Sequence, residues 1–192
     1  MNRDPDAATA TDALTTLYTK SVFLAALEKE IHRSDRFGHP FGLILMEVDR
    51  LAEINATFGD GVGDRVLERM GIGVRSYFRE TDWVARTSGG TFAVLLTETP
   101  RATAERLAEG VRAMIEHRLQ FEDHESGQQF PVTVSVGLVI AQSMDRNIGA
   151  DSLLAEARAA VERAKQQGRN RVEQVDARTS RSAPPRAGAS MA

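Results

Sequence analysis

The 192-residue sequence contains no cysteine, which excludes disulfide staples and thiolate zinc sites and fits a reducing compartment. It has no basic excess. With 24 Lys and Arg against 27 Asp and Glu, the formal net charge of -3 argues against a broad nucleic-acid surface. No apolar run approaches the roughly 18 residues of a membrane span, and the polar start Met1 to Asp12 lacks the basic and apolar blocks of a secretory signal. The expectation is a cytoplasmic protein with neither a membrane nor a nucleic-acid polymer as partner. The phosphate-loop and dinucleotide glycine patterns are missing, and there is no internal repeat. His32, His39, His117 and His124 show no metal-ligand spacing.

What is present fits one globular domain. Val22, Phe23, Ala26, Leu27 and Ile31 recur at helical spacing within 17–36, and Phe41 to Val48 is an apolar run of strand length. A short helix over 50–56, a turn at Gly59 and Gly61, and a helix over 64–78 with Val66, Leu67, Met70 and Ile72 inward follow. The segments 82–86 and 92–96 flank Thr87-Ser88-Gly89-Gly90 as a hairpin. Pro100 opens a helix to about Arg118 with Ala104, Leu107, Ala108, Val111 and Ile115 as its stripe. A polar, mobile stretch around His124 to Gln129 precedes a strand over 132–140. Asp151 caps a last helix that Gly168 ends, and 171–175 is a final strand. One mixed sheet flanked by helices, an α+β arrangement, accounts for this order. The expected division is a flexible 1–11, a domain over 12–176 and a disordered tail over 177–192.

Several stretches, in order and at compatible spacing, resemble the GGDEF domain of diguanylate cyclases, which condense two GTP molecules into cyclic di-GMP. They are D-A-L-T-T-L-Y-T-K-S-V-F, E-V-D-R-L-A-E-I-N-A-T-F-G-D-G-V-G-D-R-V-L, the hairpin with A-V-L-L-T-E-T, V-T-V-S-V-G-L and A-K-Q-Q-G-R-N-R-V. The resemblance implies a largely antiparallel five-stranded central sheet flanked by helices, the ferredoxin-like palm of nucleotide cyclases, with the signature turn in a β-hairpin.

In the family that turn reads Gly-Gly-Asp/Glu-Glu-Phe, and its acidic third residue binds magnesium together with an aspartate ending the first strand. Here the turn falls on Ser88, Gly89, Gly90, Thr91 and Phe92, and no carboxylate lies between Arg86 and Glu98 in any register. The strand aspartate falls at Glu47, with the carbonyl of Val48 beside it, and the family's lysine after that strand falls at Ala52. Phosphoryl transfer depends on metal ions that neutralise charge, so the expectation is a chain that is not an enzyme and binds no magnesium or other cofactor.

Asn55 and Asp64 fall where the family recognises guanine, and Lys165 and Arg169 where it holds phosphates, which implies a residual GTP pocket. The same residues also read as local structure: Asn55 as a turn cap, Asp64 as a helix cap, Lys165 and Arg169 as complements of a helix C-terminus.

Arg79 and Asp82 match the family's Arg-x-x-Asp inhibitory site for cyclic di-GMP. An arginine fork and a carboxylate can together read one guanine, at roughly 1–3 kcal/mol of discrimination per bidentate contact. Arg3 to Asp6 satisfies the spacing by chance, and an isolated match would be an exposed ion pair worth about 0–1 kcal/mol. The family's auxiliary arginine falls at Gly110, leaving Arg106 one turn earlier and Arg112 nearby. The resulting expectation is a cyclic di-GMP receptor that signals by contact with a protein partner, with a homodimer on ligand binding as one arrangement. A ligand-independent scaffold, a GTP sensor and a weak cyclase using Glu47 and Asp49 are the alternatives.

Overall fold

In the computed structural model, residues 10–122, 127, 129–141 and 149–177 are described. The run Phe41–Val48 forms β1, the central strand of a five-stranded sheet. It pairs antiparallel with β3 (Thr91–Leu96) on one side and with β6 (Val134–Ala141) on the other. β2 (Trp83–Ser88) extends the sheet beyond β3, and β7 (Val172–Asp176) runs parallel to β6 at the opposite edge. A separate two-stranded ribbon, β4 (Gln120–Glu122) with β5 (Gln129–Pro131), follows the fourth helix.

Both faces of β1 are covered, which is why it reads as an unbroken apolar run. Ile44, Met46 and Val48 pack beneath α3 (Asp60–Tyr77) and α4 (Arg101–Arg118), where Val66, Met70, Val74, Ala104, Val111 and Ile115 are buried. Phe41, Leu43 and Leu45 face α1 (Lys20–Phe37) and α5 (Ala150–Gln166), against Phe23, Leu27, Ile31, Leu153, Ala157 and Val161. Each buried Val, Leu, Ile, Phe or Met among them contributes roughly 1.5–3 kcal/mol through burial. The layers are helix, sheet, helix, as the α+β reading requires.

Three local expectations are corrected. The helix expected from Asp64 begins at Asp60, because Gly59 alone, at φ 84°, breaks the chain after α2 (Leu51–Phe58) and Gly61 continues in α3. Ile72 is 70% exposed, and Val74, one turn after Met70, takes the inward position. Asp151 is not a cap: Gly149 precedes α5, and Asp151 lies in its first turn, where a negative charge suits the helix dipole. The flexibility expected of 1–9, the mobile stretch at His124 and the disorder expected of 178–192 lie outside the described residues. Residues Thr11 to Tyr18 fold back on themselves, and Tyr18 adds a parallel bridge to Ala85 on the free edge of β2.

Candidate functional site

The register of the central strands brings the end of β1 beside the hairpin turn. Glu47 pairs with Thr91, and the Val48 N–H donates to the Gly90 carbonyl at 3.0 Å. Gly89 and Gly90 connect β2 to β3, with Arg86 Nε donating to the Gly89 carbonyl at 2.9 Å. Arg86 also donates from Nη1 to Asp12, at 3.1 and 3.3 Å, and Asp12 accepts from the Thr15 amide and hydroxyl at 2.8 Å each. Burial works against the Asp12 charge, yet these hydrogen bonds hold its carboxyl below the usual range.

The turn is crowded at Gly90 by the end of one flexible side chain. A Cβ on Gly90 would lie 2.8 Å from Leu51 Cδ2, so any side chain there requires Leu51 to shift. Glu47 is occupied as well: Lys165 Nζ lies 2.7 Å from its Oε1 and 2.9 Å from Glu162 Oε1. Burial opposes the lysine charge, but the two carboxylates outweigh it and raise Lys165 above its ordinary value. Magnesium demands octahedral oxygen donors at short range, and one lysine-paired carboxylate beside a glycine turn fits it poorly. Among the described residues no group of three His, Cys, Asp or Glu gathers as a metal site. Glu47, Thr87, Ser88, Thr91, Lys20 and Arg158 line a cavity of about 310 Å³ at this end of the sheet.

Asn55 and Asp64 are brought to the α2–α3 corner, and neither acts as a cap. Asn55 lies within α2 and gives its backbone carbonyl to the Gly59 N–H at 2.9 Å, while Asp64 is exposed in the second turn of α3. The Asn55 Oδ1 is buried without a hydrogen-bond partner, and it abuts Gly63 so closely that a Cβ there would overlap it. A buried unpaired amide oxygen is costly, on the order of 1–3 kcal/mol. Arg169 is exposed just after α5 in a left-handed conformation, φ 63°.

A polar network that the sequence reading did not assemble ties these parts together. Asp49, buried at the end of β1, accepts from Thr133 Oγ1 at 2.8 Å, Ser135 Oγ at 2.7 Å and the Asn170 N–H at 3.1 Å. The Asn170 side chain donates to Glu116 and accepts from Arg112, both at 2.7 Å. Hydrogen bonding by Glu109, with burial opposing and Glu116 reinforcing, raises Arg112 further above its already high value. Arg112 is therefore committed within the fold and is not an auxiliary ligand arginine. The signal was an asparagine in a glycine-led turn after a helix, but its partners lie on distant segments.

Arg79 follows the end of α3 and Asp82 precedes β2. The Arg79 N–H donates to Asp82 Oδ2 and the Asp82 N–H donates to the Arg79 carbonyl, both at 3.1 Å. Arg75 Nη1 reaches the Asp82 carbonyl at 3.4 Å. Asp82 is only 4% exposed, and burial pushes its carboxyl up against the opposing hydrogen bonds and arginine charges. The Arg79 side chain is exposed and takes part in none of the ion pairs among the described residues. The carboxylate thus fixes the arginine's backbone and leaves its guanidinium to solvent. Arg106 is also exposed and, among the described residues, hydrogen-bonds to Thr103 Oγ1 at 3.3 Å and to no other side chain. Trp83 packs on Tyr18, ring centroids 5.1 Å apart, which accounts for it as hairpin packing.

The family model described as "Diguanylate cyclase, GGDEF domain" matches residues 9–171. Diguanylate cyclase DgcP of Pseudomonas aeruginosa is 32% identical over 163 residues, covering 85% of this chain and 23% of DgcP. The chain spans less than half the length of the curated relatives it matches. Diguanylate cyclase SiaD of Pseudomonas aeruginosa, solved in complex with its activator SiaC, is 30% identical with a TM-score of 0.80, over 88% of this chain and 62% of that one. A microbial GGDEF domain solved for its novel interaction mode with cyclic di-GMP is 26% identical with a TM-score of 0.71, over 86% of this chain and 96% of that one. These findings overturn the expectation that the chain is not an enzyme, because the matched family and its named relatives are diguanylate cyclases. No helix among the described residues is long and apolar enough to cross a membrane.

Proposed function

Because this chain belongs to the GGDEF diguanylate cyclase family, we propose that its Arg79 side is a receptor site for cyclic di-GMP, from which the domain signals by contact with a partner protein. The observation that carries this reading is the Arg79–Asp82 pair. A buried carboxylate holds the backbone of an exposed arginine that pairs with no carboxylate side chain among the described residues, so the guanidinium fork is presented to a ligand at reduced entropic cost. Guanine O6 and N7 accept from such a fork. Arg106 supplies a second free cation for the phosphodiester groups. The complex of SiaD with SiaC and the cyclic di-GMP contact of the microbial GGDEF domain are precedents in similar chains. Isothermal titration of the purified chain with cyclic di-GMP tests the reading. Micromolar binding abolished by Arg79→Ala is expected, and no binding, or binding indifferent to that substitution, overturns it.

A second reading is a guanine-nucleotide pocket built on Asn55, Asp64, Lys165 and Arg169, favoured by the buried, unpartnered Asn55 Oδ1. A guanine N–H would satisfy that oxygen. GTP should then raise the melting temperature, since a ligand stabilises only the state it binds, and Asn55→Ala should remove the shift. No shift with wild type rejects the pocket.

A further inference from the structure

The end of α3 meets the middle of α4 at a position where α4 carries no side chain. A Cβ on Gly110 would overlap the Tyr77 hydroxyl and lie 3.1 Å from Tyr77 Cζ, so the phenol occupies the room that any larger residue 110 would need. Its ring is half-buried, edge-on to Phe78 with centroids 5.2 Å apart. Among the described residues, the hydrogen bonds of this neighbourhood run from Arg75, Ser76, Arg79 and Arg106, and none uses the Tyr77 hydroxyl. A ring held by packing with a free hydroxyl is a preorganised donor, fixed by two torsions.

Its surroundings supply what an anionic ligand needs. Arg79 follows two residues later, exposed and anchored through its backbone. Arg106 lies one turn before Gly110 on the same face of α4. The other arginine of that stretch, Arg112, is bound to Glu109, Glu116 and Asn170. We propose that Tyr77 is a third contact of the Arg79 site, its hydroxyl donating to an acceptor oxygen of the cyclic dinucleotide held between Arg79 and Arg106. Gly110 is what lets it stand there. The inference rests on the reading of that site as a cyclic di-GMP receptor.

The test is isothermal titration of cyclic di-GMP into wild type, Arg79→Ala, Tyr77→Phe and Gly110→Ala, with ligand-free melting temperatures measured in parallel. Tyr77→Phe removes one oxygen and keeps the ring, so the fold should melt as wild type while affinity falls about five- to tenfold, the worth of one hydrogen bond of about 1–1.4 kcal/mol. Gly110→Ala, which pushes the hydroxyl aside, should weaken binding in the same direction. If wild type binds and Arg79→Ala abolishes binding while Tyr77→Phe binds as wild type, the Tyr77 contact is overturned and the receptor reading stands. A weaker Tyr77→Phe that also melts lower marks a packing role and overturns it as well. If wild type does not bind, both fall.

Discussion

Lys165 of α5 places its ammonium 2.7 Å from the Glu47 carboxylate of β1, joining the last helix to the end of the central strand. Glu162 holds the same ammonium from the other side at 2.9 Å.

The pair is partly exposed, so its worth is modest. Glu47→Gln should cost about 0–1 kcal/mol at pH 7 in thermal or urea melts. The folded Lys165 value is raised, so its stabilisation is complete below the ordinary 10.5 and fades as pH climbs through the higher folded value. On the alkaline side, wild type and variant should therefore converge only at strongly alkaline pH. A gap that closes near neutrality would contradict the assignment.

Asp82 has the opposite sign. A carboxyl raised by burial destabilises the fold above that raised value, and the penalty fades as pH falls from it toward the ordinary 3.8. Asp82→Asn keeps an acceptor for the Arg79 N–H without the charge, and should match or exceed wild-type stability at pH 7. Asp82→Ala leaves that N–H without its side-chain acceptor and should lose about 1–3 kcal/mol. Chemical denaturation of the two variants decides it; equal losses would sink the account.

Gly63→Ala tests the α2–α3 corner. The new methyl must displace the Asn55 amide, at a cost of about 1–3 kcal/mol for overpacking. Any stabilisation by GTP should vanish with it. A GTP shift as large as that of wild type would show that Asn55 does not face the base.

On α3, Met70→Ala should cost about 2–5 kcal/mol, whereas Ile72→Lys should stay within about 0.5 kcal/mol. The contrast also marks how far the sequence could be read. The run Phe41 to Val48 announced a strand because both faces are buried, and the helical stripes of α1 and α4 announced themselves by period. Ile72 misled because it is apolar at a position two residues from Met70, where helical geometry turns the side chain outward. The place of Arg79 at the end of a helix and of Asp82 at the start of the hairpin was legible, but the burial and backbone contacts of Asp82 were not, since they are decided by tertiary packing. The bond from Asn170 to Asp49 was beyond reach for the same reason: nothing local to either residue points to the other.

Asn170→Ala should lose about 1–3 kcal/mol, because its amide satisfies Glu116 and Arg112 and because alanine is strained at φ 45°. Asn170→Gly keeps the backbone conformation, so it should recover part of that loss. A glycine variant less stable than the alanine one would contradict the role of the left-handed turn.

The Asn170 amide closes onto Asp49 across 121 residues of chain. During synthesis at about 5–20 residues per second, some 6–24 s separate the appearance of the two partners. Through that interval β1 has left the ribosome's active centre without α5 to cover one of its faces, and the Asp49 carboxylate waits for its last donor. The domain is therefore completed from its C-terminal end, and this late-arriving contact joins the end of the central strand to the turn carrying Arg169.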